Sequence, residues 1–204
     1  MQPDEKTVWD KKYKQALDRS REPDPFLLDA YREFLAGRPP GMALDVAGGR
    51  GRHSLWVARR GWRVKLVDIS EVGVALAREN ATRSLSPGRA ESARKQPLFE
   101  AEVLDLNAGP DLGYQQYDLV MVFFYLQRRL FPALIRALKP GGLLLYKTYT
   151  RAERPIAGGP SNPEYLLEPN ELLQAFRSMR ILHYQEGTAG RAVAELVAEK
   201  PDSG

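Results

Sequence analysis

The stretch Tyr117-Asp118-Leu119-Val120-Met121-Val122-Phe123-Phe124 is apolar on both of its alternating faces. A strand of that kind needs cover above and below, so it belongs inside a parallel sheet with helices on both sides. The chain from Met42 onward supplies the neighbours. Met42–Ala47, Trp62–Val67, Pro97–Val103 and Leu143–Thr150 read as further strands. Between them fall three helices. Gly51–Arg60 carries Leu55, Trp56 and Ala58, a second is capped by Ser70 and runs to about Arg83, and a third has the stripe Leu130, Phe131, Leu134, Ile135 and Leu138. Lys139-Pro140-Gly141-Gly142 predicts a turn before the fifth strand.

The two ends of the chain read differently. Residues Lys6 to Leu17 predict a helix with Trp9, Tyr13 and Leu17 on one face. A second helix has Asp24 as N-cap, Pro25 at its first position and Gly37 as its close, with Phe26, Leu27, Tyr31, Phe34 and Leu35 as its apolar stripe. Glu168-Pro169 opens a late helix with Leu172, Leu173 and Phe176. Arg180–Gln185 and Ala192–Ala198, joined through Gly187–Gly190, predict an antiparallel hairpin. The order is two helices, alternating strands and helices, then helix and hairpin, which makes a doubly wound α/β sheet with an antiparallel edge. Leu85–Gln96 and Arg151–Pro163 fit no element. The first reads as a solvated basic loop, and the second as a functional loop following a central strand.

Composition narrows the chemistry. The 204 residues include no cysteine and two histidines, His53 and His183. That excludes disulfides, thiolate nucleophiles and Cys-based metal sites, and it argues against a multi-histidine metal centre. An enzyme with so few reactive side chains takes its chemistry from a cofactor. The net charge of +4 tolerates anions without demanding nucleic acid. No apolar run approaches the roughly 18 residues of a membrane span, and the polar N-terminus lacks a signal-peptide core, so the expected location is cytoplasmic.

The cofactor is read from Asp45-Val46-Ala47-Gly48-Gly49-Arg50-Gly51-Arg52-His53-Ser54. A strand runs into glycines and a helix starts, so a ligand can approach the backbone and meet free N–H groups. Asp68 ends the next strand, where a carboxylate accepts both hydroxyls of a ribose. Ser54 stands where a dinucleotide fingerprint has Gly or Ala, and the Gly-Lys-Ser/Thr of a P-loop is absent. An acid ahead of the glycines, Asp45, suits a cofactor bearing an ammonium group.

With these residues the chain resembles the class I S-adenosylmethionine-dependent methyltransferases. Their first motif, roughly D-x-G-x-G-x-G, is matched by Asp45, Gly49 and Gly51, with Ala47 where the first Gly is usual. Ala47 permits a close backbone approach only with a negative φ. The resemblance implies a Rossmann-like, seven-stranded, mostly parallel sheet with a C-terminal antiparallel hairpin. It also implies S-adenosyl-L-methionine as cofactor, held by Asp45, Ala47, Gly48, Gly49 and Gly51. Asp68 and Ile69 fall at the ribose place. Leu104-Asp105-Leu106 becomes the adenine segment, with Asp105 facing the exocyclic amine. Tyr117-Asp118-Leu119-Val120 and Lys139-Pro140-Gly141-Gly142-Leu143 match later motifs, and the likeness covers roughly residues 42 to 150. Phe123, Phe124 and Tyr125 fall near the transferred methyl by strand position.

A nearer similarity is to small bacterial methyltransferases of the tellurite-resistance and thiopurine-methyltransferase-like group. These often begin with Trp-Asp-x-Arg-Tyr, here Trp9-Asp10-Lys11-Lys12-Tyr13, with Lys12 in place of Arg. The likeness implies that residues 1–40 form a helical cap over a methyltransferase domain of residues 41–204, with Trp9 and Tyr13 touching the cofactor. The expected reaction is methyl transfer to a small molecule or metalloid oxyanion, with Arg128, Arg129, Arg151 and Arg154 placed to welcome an anion. No metal is expected. Tyr125, Tyr149 and His53 are the candidates for a base, needed only where the acceptor loses a proton. Two other readings stay open: a catalytically silent cofactor-binding module, and a nicotinamide-dependent oxidoreductase. Oligomeric state is not readable.

Overall fold

The structure is a computed structural model that describes residues 4–15, 22–85, 97–151, 160, 162–187 and 192–202. Leu17, most of the 85–96 and 151–163 loops, and the tip of the C-terminal hairpin lie outside them. The chain divides into two compact units, Met1–Pro110 and Asp111–Gly204. Its strands run in the order β3-β2-β1-β4-β5-β7-β6 in a seven-stranded sheet.

The first unit holds α1 (Glu5–Gln15), α2 (Pro25–Ala30), β1 (Met42–Val46), α3 (Arg52–Ala58), β2 (Arg63–Asp68), α4 (Glu71–Ser84) and β3 (Phe99–Val103). Asp24 caps α2 as its sequence predicts, accepting the Phe26 N–H at 3.0 Å with Pro25 in the first turn. The helix then continues as a π-helical turn over Tyr31–Leu35 instead of running regularly to Gly37. Strands β1, β2 and β3 pair in parallel, with Asp45 opposite Leu66 and Asp68 opposite Val103. Leu66, Val74, Ala77 and Ala101 form a buried cluster between this sheet and α4, with Phe99 packed on its edge. Each small alanine lets the helix approach, and the apolar area removed from water holds it there.

The second unit holds β4 (Tyr117–Phe123), α5 (Phe131–Ala137), β5 (Leu138–Tyr149), α6 (Glu171–Ala175), β6 (Arg180–Gly187) and β7 (Val193–Glu199). Strand β4 is buried along its length apart from a half-buried Asp118, as its apolar faces require. It pairs in parallel with β5, and β7 and β6 follow antiparallel. The expected turn at Lys139–Gly142 is instead an irregularity inside β5: the register jumps from Tyr117 opposite Leu138 to Leu119 opposite Leu143. Gly141 adopts φ +72° there, and its N–H reaches the Lys200 carbonyl at 2.8 Å. A turn whose backbone groups find sheet partners reads as strand. Phe131, Tyr146 and Phe176 pack ring against ring at 5.2–6.0 Å between β5 and its helices.

Candidate functional site

In the first unit the chain leaves β1 through a turn whose backbone is left-handed at Ala47 (φ +56°), Gly49 (+56°) and Gly51 (+80°), the last of these capping α3. The Gly51 N–H closes the turn on the Gly48 carbonyl at 3.0 Å. The expectation of a negative φ at Ala47 is therefore overturned. The turn needs a left-handed residue at that place, and Ala adopts it at a strain of about 1 kcal/mol or more. The usual glycine would carry none.

Two carboxylates stand behind this turn. Asp45 is 1% exposed and takes a hydrogen bond from the Ser54 hydroxyl at 2.5 Å on Oδ2. Its Oδ1 is buried and has no hydrogen-bond partner among the described residues. Burial pushes its carboxyl up to about 7. Asp68 is 4% exposed, and burial likewise raises it. Its Oδ2 accepts the Gly49 N–H at 2.8 Å and its Oδ1 accepts the Ser70 N–H at 2.9 Å. Each carboxylate oxygen has two lone pairs, so both retain one acceptor site for a ligand hydroxyl. An orphaned, buried carboxylate oxygen is costly unless a donor arrives. The site thus fits a ligand bringing a cationic donor to Asp45 and hydroxyls to Asp68.

The flanking residues are placed as follows. Ile69 and Leu104 are half-buried and Leu106 is buried. The Leu104 N–H donates to the Asp68 carbonyl at 2.9 Å, which ties the loop after β3 to the end of β2. Asp105 is exposed and caps a short 3-10 turn through the Asn107 N–H at 2.9 Å. Trp9 and Tyr13 stack at 5.8 Å on α1, and the Tyr13 hydroxyl lies against Gly49. Burial raises the Tyr13 phenol above its ordinary range, and the charge of Asp68 adds to this. His53 is buried in the first turn of α3.

The remaining candidates belong to the second unit. Phe123 is a core residue of β4, 6% exposed. At the strand's carboxyl end, half-buried Phe124 holds φ +58° and stacks on Tyr149 at 5.3 Å. A bulky residue held left-handed is strain of the sort that gathers at functional sites. Lys147, buried on β5, pairs with Glu195 directly across on β7 at 2.8 Å, and its Nζ lies 5.7 Å from the Phe124 ring. The Tyr125 carbonyl accepts the buried Tyr146 hydroxyl at 3.0 Å. His183 is half-buried on β6.

Two arginines proposed for an anion are committed elsewhere. Arg128 forks onto Glu171 at 2.6 and 2.9 Å and reaches the Glu164 and Leu166 carbonyls at 2.8 and 2.9 Å. Arg151 pairs with Glu168 at 3.0 Å. The Arg128 guanidinium, with four of its five donors engaged, has little to offer an anion, whereas the exposed Arg151 is held through one nitrogen. Arg154 lies outside the described residues.

Residues 43–142 match a methyltransferase domain family. That match takes in just under half of the chain, from the middle of β1 into β5. A curated relative, ribosomal RNA small subunit methyltransferase C of Alcanivorax borkumensis, is 30% identical over 126 residues, 62% of this chain and 37% of the relative. The chain thus spans little more than a third of that protein's length. Among solved structures, TehB from Haemophilus influenzae matches with a TM-score of 0.69 at 19% identity, over 96% of this chain and 66% of that one. Geranyl diphosphate C-methyltransferase from Streptomyces coelicolor, solved with Mg2+, geranyl diphosphate and S-adenosyl-L-homocysteine, matches at 0.63 and 18%, over 86% and 75%. At these identities the structures share the fold. No helix among the described residues is long and apolar enough to cross a membrane.

Sequence reasoning missed three contributors. Ser54 reads in the sequence only as a break in a fingerprint, yet it is the partner of Asp45. Asp10 was quoted in a motif without a role, yet it accepts the Ser70 hydroxyl at 2.5 Å and the Val72 N–H at 3.2 Å. Gly73 sits in the first turn of α4 under the Tyr13 ring. Of these, a glycine inside an otherwise good helix was the visible signal.

Proposed function

We propose that the methyltransferase moves the sulfonium methyl of S-adenosyl-L-methionine, by in-line displacement, to a small-molecule acceptor. The observation that carries this reading is the buried Asp45 carboxylate with an unpartnered oxygen behind the glycine turn, beside Asp68. When bound, the cofactor supplies a methyl carbon already activated by positive sulfur. The chain then has to bind, orient and exclude water, which is catalysis by proximity. Asp45 would hold the ammonium, Asp68 the ribose hydroxyls, and Leu104 to Leu106 the base, with residues 1–40 as a cap. In the second unit, Phe124 and Tyr149 pack as tilted aromatic rings at the carboxyl ends of β4 and β5, where open α/β sheets take ligands.

These rings favour an acceptor with an apolar or aromatic face over an oxyanion, and Arg128 is already spent on Glu171 and two carbonyls. Membership of the group resembling TehB is part of the proposal and rests on the fold and on Trp9-Asp10-Lys11-Lys12-Tyr13. Titration with S-adenosylhomocysteine tests the cofactor site: heat of binding in the wild type, with at least a tenfold loss in Asp45→Asn, is the expected result. Release of S-adenosylhomocysteine across a panel of small aromatic acceptors, oxyanions and ribosomal RNA then tests the acceptor. Turnover on RNA alone overturns the small-molecule reading. Binding with no turnover on any acceptor leaves the silent module standing.

A further inference from the structure

Helix α1 contains no buried residue, yet it is held in place. Its grip is a set of polar ties to the loops that carry the cofactor residues. Asp10 takes the Ser70 hydroxyl and the Val72 N–H at the start of α4, Lys6 meets Glu71 at 3.3 Å, and Glu5 takes the Asn107 side-chain N–H at 2.5 Å. Ser70's hydroxyl, with the Val72 amide and Lys6, holds the Asp10 carboxyl below its usual range, so it stays charged for this work.

Tyr13 projects from α1 onto the turn after β1 and the start of α4, and two glycines make room for it. A Cβ on Gly73 would stand 2.9 Å from Tyr13 Cε2 and 3.1 Å from Cδ2. A Cβ on Gly49 would overlap the Tyr13 hydroxyl and stand 3.0 Å from Cζ. Gly49 has a second reason to be glycine, its left-handed φ, but Gly73 has helical backbone and lies within α4. Glycine weakens a helix at such a place. The tyrosine ring above it is the reason on the structure for its presence.

We infer that Gly73 and Gly49 are positioning residues that seat Tyr13, and that this seat makes α1 the roof of the cofactor site, so that docking of α1 sets how long the cofactor stays. The inference rests on the cofactor reading above. The ring spans from the first turn of α4 to the turn after β1, close enough to Asp68 and Asp45 for their charges to act on its phenol. Shutting out water there strengthens every charge-assisted bond those carboxylates make. With no fully buried residue of its own, α1 relies on the seated ring and the polar ties.

Gly73→Ala tests the seat, because alanine suits the helix and disturbs only the ring. S-adenosylhomocysteine is the probe, by titration and by stopped-flow dissociation. Gly73→Ala is expected to release it about tenfold faster with no fall in the melting temperature of the ligand-free protein. Tyr13→Ala is expected to do the same, and Gly73→Ala added to Tyr13→Ala should change nothing more, as for two residues acting through one contact. Trypsin supplies an independent readout at the exposed Lys11, Lys12 and Lys14. The ligand should slow cleavage there in the wild type and much less in Gly73→Ala. Wild type that fails to bind the probe overturns the cofactor reading itself. Binding by the wild type with equal binding by Gly73→Ala, or a Gly73→Ala loss of the same size in both backgrounds, overturns the seat alone.

Discussion

Ala47 and Asp45 show how much a single residue decides here. Ala47 is held at φ +56°, where an L side chain is strained. Ala47→Gly relieves that strain while loosening the unfolded chain, two effects of opposite sign. The net expected is a gain of about 0.5–1 kcal/mol in urea denaturation of the ligand-free protein. Asp45 has an ordinary carboxyl value of 3.8 when unfolded and one pushed up to about 7 by burial when folded. Between those values the folded state binds more protons than the unfolded one, so ligand-free stability falls as pH rises from about 4 through about 7. Asp68, raised by the same cause, adds in the same direction. Asp45→Asn should flatten most of that slope, to which one carboxyl contributes about 1.4 kcal/mol per pH unit at most. A ligand ammonium needs the ionised form, so S-adenosylhomocysteine should bind roughly tenfold tighter at pH 8 than at pH 6, and titrations at the two values measure it.

Among elements, the contacts of Arg128 matter more than its exposure implies. Its four hydrogen bonds join the start of α5 to the stretch between Glu164 and Glu171. The same stretch adds Leu167 to the end of β5 through a bridge at Thr150, with the Leu167 N–H on the Tyr149 carbonyl at 2.9 Å. Arg128→Lys keeps the charge but loses the fork that reaches a carboxylate and two carbonyls together. The expected result is amide exchange at least tenfold faster over residues 164–171, with little change in global melting because the pair is partly exposed. Exchange unchanged in that stretch would show that the bridge at Thr150 suffices. The Arg128 clamp was not legible in the sequence, since two adjacent arginines after an apolar strand look the same whether solvated or bonded.

For the whole molecule, a site made of two buried carboxylates predicts strong linkage between ligand and fold. At a hundredfold excess over its Kd, S-adenosylhomocysteine should stabilise the protein by about 2.7 kcal/mol, read as a shift in melting temperature. That shift should shrink sharply in Asp68→Ala, which removes the acceptor of the Gly49 N–H and, on the proposed reading, that of the ribose.

The sequence by itself determined the sheet, its strand and helix order, the caps at Asp24 and Ser70, and the placing of Asp45, Asp68 and the glycines at strand ends. Those follow from local rules: apolar periodicity, capping chemistry and the freedom of glycine act within a few residues and leave their mark in the letters. Only the tertiary structure decided that Ala47 is strained, that Asp45 keeps one oxygen without a partner, that Arg128 is spent on Glu171, and that Gly73 lies under Tyr13. Each of these depends on residues far apart in the chain meeting in space, as Tyr13 meets Gly49 and Gly73. No pattern of spacing records which buried oxygen is left without a donor, because desolvation and hydrogen bonding are settled by the packed neighbours.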